Sequence, residues 1–316
     1  MLDKPSEIII ICERIQVSMC PPRLIQGILI VAVLALTIPT RAQQHRLAKS
    51  STPTKRNYLG FDANEYPGDA LLPGLRKQFS FAGFWLTNPP GADHNTWVGK
   101  RNILLRNGFG FLVVANGRLD KEILQSQKSR KAAAAVLGLQ DAAAAVASAR
   151  REGFPPHTVL FLDQEEGGGM LPEQATYLLA WTEAIARTAY RPGVYASGQP
   201  VPNGKGGNGK SVTITTIQDL RQRVAAGHLH EIEFWVAQDA CPPAPGCVIQ
   251  PSPPAPDQSG TLDSTAWQFA QSPRRNSITQ ACGKTYNADG NCYASGVPNY
   301  GLDLSTSRSP DPSHGR

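Results

Sequence analysis

Apolar residues in this chain fall into short continuous runs, separated by stretches with helical periodicity. Eight runs stand out, over residues 58–62, 81–86, 108–114, 159–162, 193–196, 232–237, 266–269 and 300–304. Most are hydrophobic at consecutive positions, as strands covered on both faces are, rather than alternating. Helical patterns lie between them. Residues 142–152 are alanine-rich, with Asp141 placed as an N-cap and Gly153 ahead of Pro155 as the stop. Over 173–190, Tyr177, Leu178, Trp181, Ala184 and Ile185 recur at helical spacing behind Pro172, and 217–226 reads as a further helix ended by Gly227. Strands alternating with helices imply right-handed crossovers and a parallel sheet. Eight strands in about 250 residues is the proportion of an α/β (β/α)8 barrel of the TIM type. The helical pattern is weak after the first and seventh runs, so some outer helices are expected to be short or missing, and the βα loops long.

The fourth run ends abruptly in Asp163, Gln164, Glu165 and Glu166, followed by three glycines. Alternate residues on a strand share a face, so Asp163 and Glu165 point the same way, roughly 6–7 Å apart. Two carboxylates at the end of a buried strand are costly to hold. Such a pair splits its proton affinities, leaving one group as acid and the other as base or charge stabiliser. The competing reading is that Glu165 or Glu166 favours the N-terminus of the next helix. A barrel also demands that chemistry sit at the C-terminal ends of its strands. Asp62 ends the first run and Asp303 lies late in the eighth, so four carboxylates are expected at one mouth. Trp85, Tyr195, Trp235 and Trp267 lie in or at the ends of other strands, where aromatic rings stack on sugar faces. Gln238 and Gln268 are placed either to bond sugar hydroxyls or to cap strand ends.

Gly204 to Ser211 formally satisfies the phosphate-loop pattern. That motif needs a strand feeding directly into the loop and a helix starting at its Lys-Ser. Here 198–203 intervene and Val212 to Thr215 form helix poorly, so no nucleotide is expected. As the loop after the fifth strand it would overhang the mouth, bringing Lys205 and Lys210 toward an anionic glycan. There is no Gly-x-Ser-x-Gly elbow and no His-Glu-x-x-His, and the histidines are scattered. No metal and no cofactor are expected.

Composition changes the picture at the N-terminus. Behind Arg23, residues 24–38 are almost wholly apolar, and Thr40-Arg41-Ala42 offers small residues at the offsets of a cleavage site. Residues 1–42 thus read as a signal peptide, with Met19 as a better-proportioned start, and the protein as secreted or periplasmic. A membrane enters only if that signal stays uncleaved. Residues 43–56 are expected to be a disordered lead, 57–305 the barrel and 306–316 a disordered tail. Of the six cysteines, four lie in the barrel region, close together in sequence as Cys241 with Cys247 and Cys282 with Cys292. In an oxidising compartment each pair is expected to close a local loop. The formal charge of +6 comes without a dense Lys/Arg stripe, which argues against nucleic acid. A monomer is expected.

Gly60-Phe61-Asp62, Phe161-Leu162-Asp163-Gln164-Glu165, Gly193-Val194-Tyr195-Ala196-Ser197, Trp267-Gln268-Phe269 and Leu302-Asp303-Leu304 resemble, in that order, the lysozyme-like barrels of glycoside hydrolase family 25. The sequence is more closely similar to the glycoside-hydrolase-like domain family DUF1906, secreted bacterial proteins with the same barrel. The resemblance covers roughly residues 57–305. It implies that Glu165 is the general acid, with Asp163 beside it, and that Asp62 and Asp303 position substrate or stabilise an oxocarbenium-like transition state. Burial and Asp163 would keep the proton on Glu165. The implied reaction is hydrolysis of a peptidoglycan-type, β-linked amino sugar polymer. Three features depart from family 25: Ser305 where asparagine usually follows Asp-Leu, the glycine run after Glu166, and the proline-rich stretch 251–256. Because similar barrels bind glycans without cleaving them, an inactive glycan-binding barrel is the alternative.

Overall fold

The computed structural model of the protein describes residues 56–207 and 209–316. The expected signal peptide and most of the lead lie outside the described residues. Eight strands close into a barrel: β1 Tyr58–Asp62, β2 Phe81–Trp85, β3 Gly110–Asn116, β4 Val159–Asp163, β5 Arg191–Ser197, β8 Glu233–Ala237, β9 Ala266–Ala270 and β10 Asp303–Ser307. A separate hairpin, β6 Val201–Lys205 with β7 Ser211–Ile214, follows β5. The glycine-rich segment that mimics a phosphate loop is therefore a hairpin end and not a strand-to-helix turn.

Around the barrel the order is β1-β10-β9-β8-β5-β4-β3-β2. Seven strands are parallel, and β10 runs antiparallel to both β1 and β9. This departs from the uniformly parallel sheet expected. A parallel return needs a crossover, usually helical, whereas an antiparallel one does not. Between β9 and β10 the only helical piece is the 3-10 turn Gln280–Thr285. The chain stays at the mouth after β9 and enters β10 from that side. Asp303 is consequently the first residue of its strand, not a late one, yet it reaches the mouth directly opposite Asp62.

The outer helices are α1 Leu72–Arg76, α2 Arg101–Arg106, α3 Asp120–Lys128, α4 Ala134–Glu152, α5 Pro172–Ala186 and α6 Thr216–Gly227. After β1 and β9 they are short or absent, as the weak pattern there implied, and after β8 there is only a 3-10 turn. No described helix is long and apolar enough to cross a membrane. Helix α4 starts well before Asp141, which is no N-cap. Instead Asp141 takes two hydrogen bonds from Arg118, at 2.7 and 2.8 Å, and one from the Tyr177 hydroxyl. The small face of α4 packs on α5: a Cβ on Gly138 would meet the Tyr177 carbonyl oxygen at 2.3 Å.

Two other expectations are corrected. Residues 306–316 are not a loose tail: Thr306 and Ser307 complete β10, and the rest runs beneath the barrel. Pairing of β3 with β4 begins only at Val113 with Leu160, leaving the lower backbone of β3 open on that side. The tail fills it. Asp311 Oδ1 accepts from the Phe111 N–H at 2.9 Å, Ser313 Oγ from Val113 N–H at 2.8 Å, and the Ser313 carbonyl from Val159 N–H at 2.8 Å. The disulfides are Cys241–Cys282 and Cys247–Cys292, not the sequence-local pairs. Because β8 and β9 are neighbours, the loops that leave them lie side by side, and proximity in space overrides proximity in sequence.

Candidate active site

The inward face of each strand is fixed by its two-residue alternation. Cross-strand partners place Asp163 beside Tyr195, Tyr195 beside Trp235, and Ala237 beside Gln268 on one inner layer. Asp62, Asn64, Trp85, Val114, Asp163, Glu165, Tyr195, Trp235, Gln268, Gln271 and Asp303 surround a single cavity of about 70 Å³ at the mouth. All four expected carboxylates are thus brought together. Gly83 makes room for one of them, since a Cβ there would come within 2.5 Å of the Asp62 Cβ.

Of the six expected sugar contacts, Trp85, Tyr195, Trp235 and Gln268 line the cavity. Trp267 does not: next to inward Gln268, it must face outward, where it is fully buried and donates to the Gln238 carbonyl at 2.7 Å. Gln238 is also turned out. Its amide caps loop backbone, donating to the Gly198 carbonyl and accepting from Ala240 N–H.

Gln268 is the hub. Its Nε2 donates to Asp62 Oδ2 at 3.0 Å and to Asp303 Oδ2 at 3.3 Å, while its Oε1 accepts from the Tyr195 hydroxyl at 2.7 Å and from Gln271 Nε2 at 3.0 Å. Ser272 N–H holds Asp303 Oδ1 at 2.6 Å. Ser305, the departure from family 25, accepts from Trp235 Nε1 at 3.1 Å and so fixes that ring. Gln271, Asn64 and Ser272 were not foreseen. Asn64 shares the parity of Asp62 and was in principle readable, whereas Gln271 and Ser272 lie in an irregular loop with no periodic signal.

The electrostatics separate the carboxylates. Burial pushes Asp62 up to about 7 against the hydrogen bond from Gln268, with the charge of Glu165 adding to the rise. Burial, then the charge and hydrogen bond of Glu165 and the charge of Asp62, hold Asp163 well above the carboxylate range. Burial and Asp62 do the same to Asp303, opposed by the Ser272 N–H. Glu165, expected to be buried, is exposed at the mouth, and the buried member of the pair is Asp163. Among the described residues, Asp62 Oδ1 and Asp163 Oδ1 are buried without a hydrogen-bond partner, both on side chains that line the cavity.

Between the two acids, Gln164 turns away. It donates to Glu166 and accepts from Gln174 on α5, tying the turn to the outer helices. Glu166, not Glu165, does the capping, and it caps α3 rather than the next helix, accepting from Asp120 N–H at 2.9 Å. Gly168, at φ +95, lets this turn press against Val201 at the base of the β6–β7 hairpin. Among the described residues no three His, Cys, Asp or Glu side chains are placed to hold a metal ion.

The profile of the Rv2525c-like, glycoside hydrolase-like domain matches residues 91–283, more than half of the chain. The chain belongs to this family. No curated protein matches it. Among solved structures it is similar to an uncharacterized B. stearothermophilus protein, at 20% identity and a TM-score of 0.45, covering 78% of this chain and 94% of that one. It is also similar to the Mycobacterium tuberculosis Tat-secreted protein Rv2525c in complex with L-tartrate, at 14% identity and TM-score 0.45, covering 80% and 95% of the two chains. A third likeness, at 14% identity and TM-score 0.43, is to the catalytic domain of endolysin ply40 from bacteriophage P40 of Listeria monocytogenes, covering 82% and 98%.

Proposed function

We propose that this family member is an exported hydrolase of a cell-wall glycan, cutting a β-linked amino sugar polymer of the peptidoglycan type. The observation that carries the reading is the unequal pair: an open carboxyl, Glu165, beside a buried one, Asp163, that keeps its proton. Glu165 is the member a substrate can reach, and it passes a proton to the glycosidic oxygen as the C1–O bond breaks. Asp163, hydrogen-bonded to Glu165, holds the buried proton that replaces the one Glu165 gives up. Positive charge developing at C1 is met by Asp62, which near neutral pH is divided between its two forms, or by a substrate acetamido group that Asp62 orients. Water then adds at C1 and returns its proton to the carboxylate. Trp85, Tyr195 and Trp235 offer ring faces to the sugar. Export is supported by the apolar N-terminal run and by two disulfides, which persist in oxidising compartments.

One observation favours a second reading. At about 70 Å³ the cavity is well below the roughly 300–1,000 Å³ of ordinary ligand sites. A barrel that grips glycan at the mouth without cleaving it fits that narrowness. Reducing-end release from purified peptidoglycan separates the two. The hydrolase reading expects release by the native chain and a loss of about 10²–10⁴-fold in Glu165→Gln. No release by the native protein, with sacculus binding retained by both, would move it to the binding class.

A further inference from the structure

The floor of the mouth is acidic, but part of its rim is basic. Between β9 and β10, residues 271–284 include Arg274, Arg275 and Lys284 and no carboxylate. Arg275 is distinguished by how it is held. Asp239, just beyond β8, is 1% exposed, and its two oxygens take Nε of Arg275 at 3.0 Å and Nη2 at shorter range. Gln199, just beyond β5, brings its Oε1 to 3.5 Å from the same Nη2. One edge of the guanidinium is thereby occupied. On the opposite edge, Nη1 makes no hydrogen bond to any described residue, and the side chain is 47% exposed. A long flexible cation on a surface is ordinarily a solvated charge. This one is fixed from behind by a buried anion, with a donor edge left facing out.

Its place in the fold sets what the guanidinium lies near. Arg275 lies four residues after Gln271, which lines the cavity, and three after Ser272, whose N–H holds Asp303. Gln199 donates its N–H to Ser197, and Ser197 abuts Gly167 on the turn that carries Glu165. Burial works against the charge of Arg275, yet the hydrogen bond and charge of Asp239, with Tyr195 and Glu165 behind them, hold its pKa above the ordinary arginine value. Three loops, after β5, β8 and β9, therefore meet at one guanidinium beside the cleft.

We propose that Arg275 presents its outward edge to a carboxylate on the glycan, so that the substrate of this mouth is an acidic sugar polymer. Nη1, together with the Nη2 proton that meets Gln199 only at 3.5 Å, can receive a carboxylate end-on in a fixed plane, which a lysine cannot reproduce. Asp239 takes the Nε–Nη2 edge, leaves Nη1, and holds the group in place, which lowers the ordering cost of binding. The carboxylate belongs either to a uronic acid or to a lactyl group left free of peptide. The proposal rests on the glycan reading above.

The test is reducing-end release by the full chain from four polymers: a peptide-free muramyl glycan, a polyuronate, and each of these with its carboxylates reduced to alcohols. The native protein should show a KM about tenfold lower on a carboxylate form than on its reduced counterpart, and whichever polymer shows the ratio identifies the source. Arg275→Gln should bring the ratio to about one. Arg275→Lys should keep only part of it, and that variant serves if the glutamine protein does not fold. A native ratio near one on both polymers overturns the proposal, as does a ratio undiminished in a folded Arg275 variant. If no polymer is cleaved, the hydrolase reading fails separately. Co-sedimentation with the same polymers then decides: a preference for the carboxylate form that is lost in Arg275→Gln supports Arg275 as the anion contact, and no preference overturns it.

Discussion

Asp62 is held between opposed demands, with burial on one side and a hydrogen bond from Gln268 on the other, and burial wins. The folded protein therefore keeps a proton that an unfolded chain releases near 3.8. Between about pH 4 and pH 7 the folded state binds more protons than the unfolded one, so stability must fall as pH rises through that window and level off above it. Asp62→Asn removes this part of the loss. Denaturant unfolding at pH 4 and pH 8 should find the variant's pH dependence reduced, and the variant more stable than the native chain at pH 8 by a few kcal/mol at most. Some dependence persists, because Asp163 and Asp303 are raised too. A variant with undiminished pH dependence would refute the assignment. At this scale the sequence was legible wherever parity could be read from one strand. Asp62, Asp163 and Gln268 followed from position alone. Trp267 did not survive because adjacent residues on a strand cannot share a face, and Glu165 lies just beyond the strand, where burial no longer follows from alternation.

At the scale of elements, the eight runs and the three longest helices were visible in the pattern of apolar residues, since each buries a continuous face. What escaped detection were polar segments stabilised by backbone partners. The terminal segment, rich in Ser, Pro, Asp and Arg, has the composition of a disordered tail, but its side chains satisfy N–H groups that β3 leaves open and its Ser313 carbonyl satisfies one on β4. Deleting residues 310–316 should cost about 3 kcal/mol or more, at roughly 1 kcal/mol per hydrogen bond lost and with buried donors left unpaired. Urea unfolding measures this, and a truncated chain of native stability would show the contacts to be idle. The reversed β10 was equally hidden, because an absent helix marks only that a crossover is lacking. Strand direction then follows from where the chain must go next.

At the scale of the whole molecule, the irregular half of the barrel is held by covalent links where helices are missing. The two disulfides join loops 41 and 45 residues apart in sequence, each tying the segment after β8 to the segment after β9. Closing loops of that length constrains the unfolded chain by about 4 kcal/mol per bridge in the chain-entropy view. Replacing Cys247 and Cys292 together by serine should lower the midpoint of thermal unfolding clearly, by several degrees or more. An unchanged midpoint would mean that the loops hold without the bridge. The pairing was beyond reach of the sequence because it depends on which loops become neighbours, and that is decided only when the barrel closes.

The reversal of β10 also sets on which side the backbone enters β1 and leaves β10. Tyr58 pairs with Ser307 at the floor, while Asp62 pairs with Asp303 at the mouth. The residues entering β1 and those leaving β10 therefore share the face remote from the carboxylates. Coupled to a bead or a surface through that face, the barrel would stand with its opening toward the solution, an orientation suited to a polymer too large to diffuse inward.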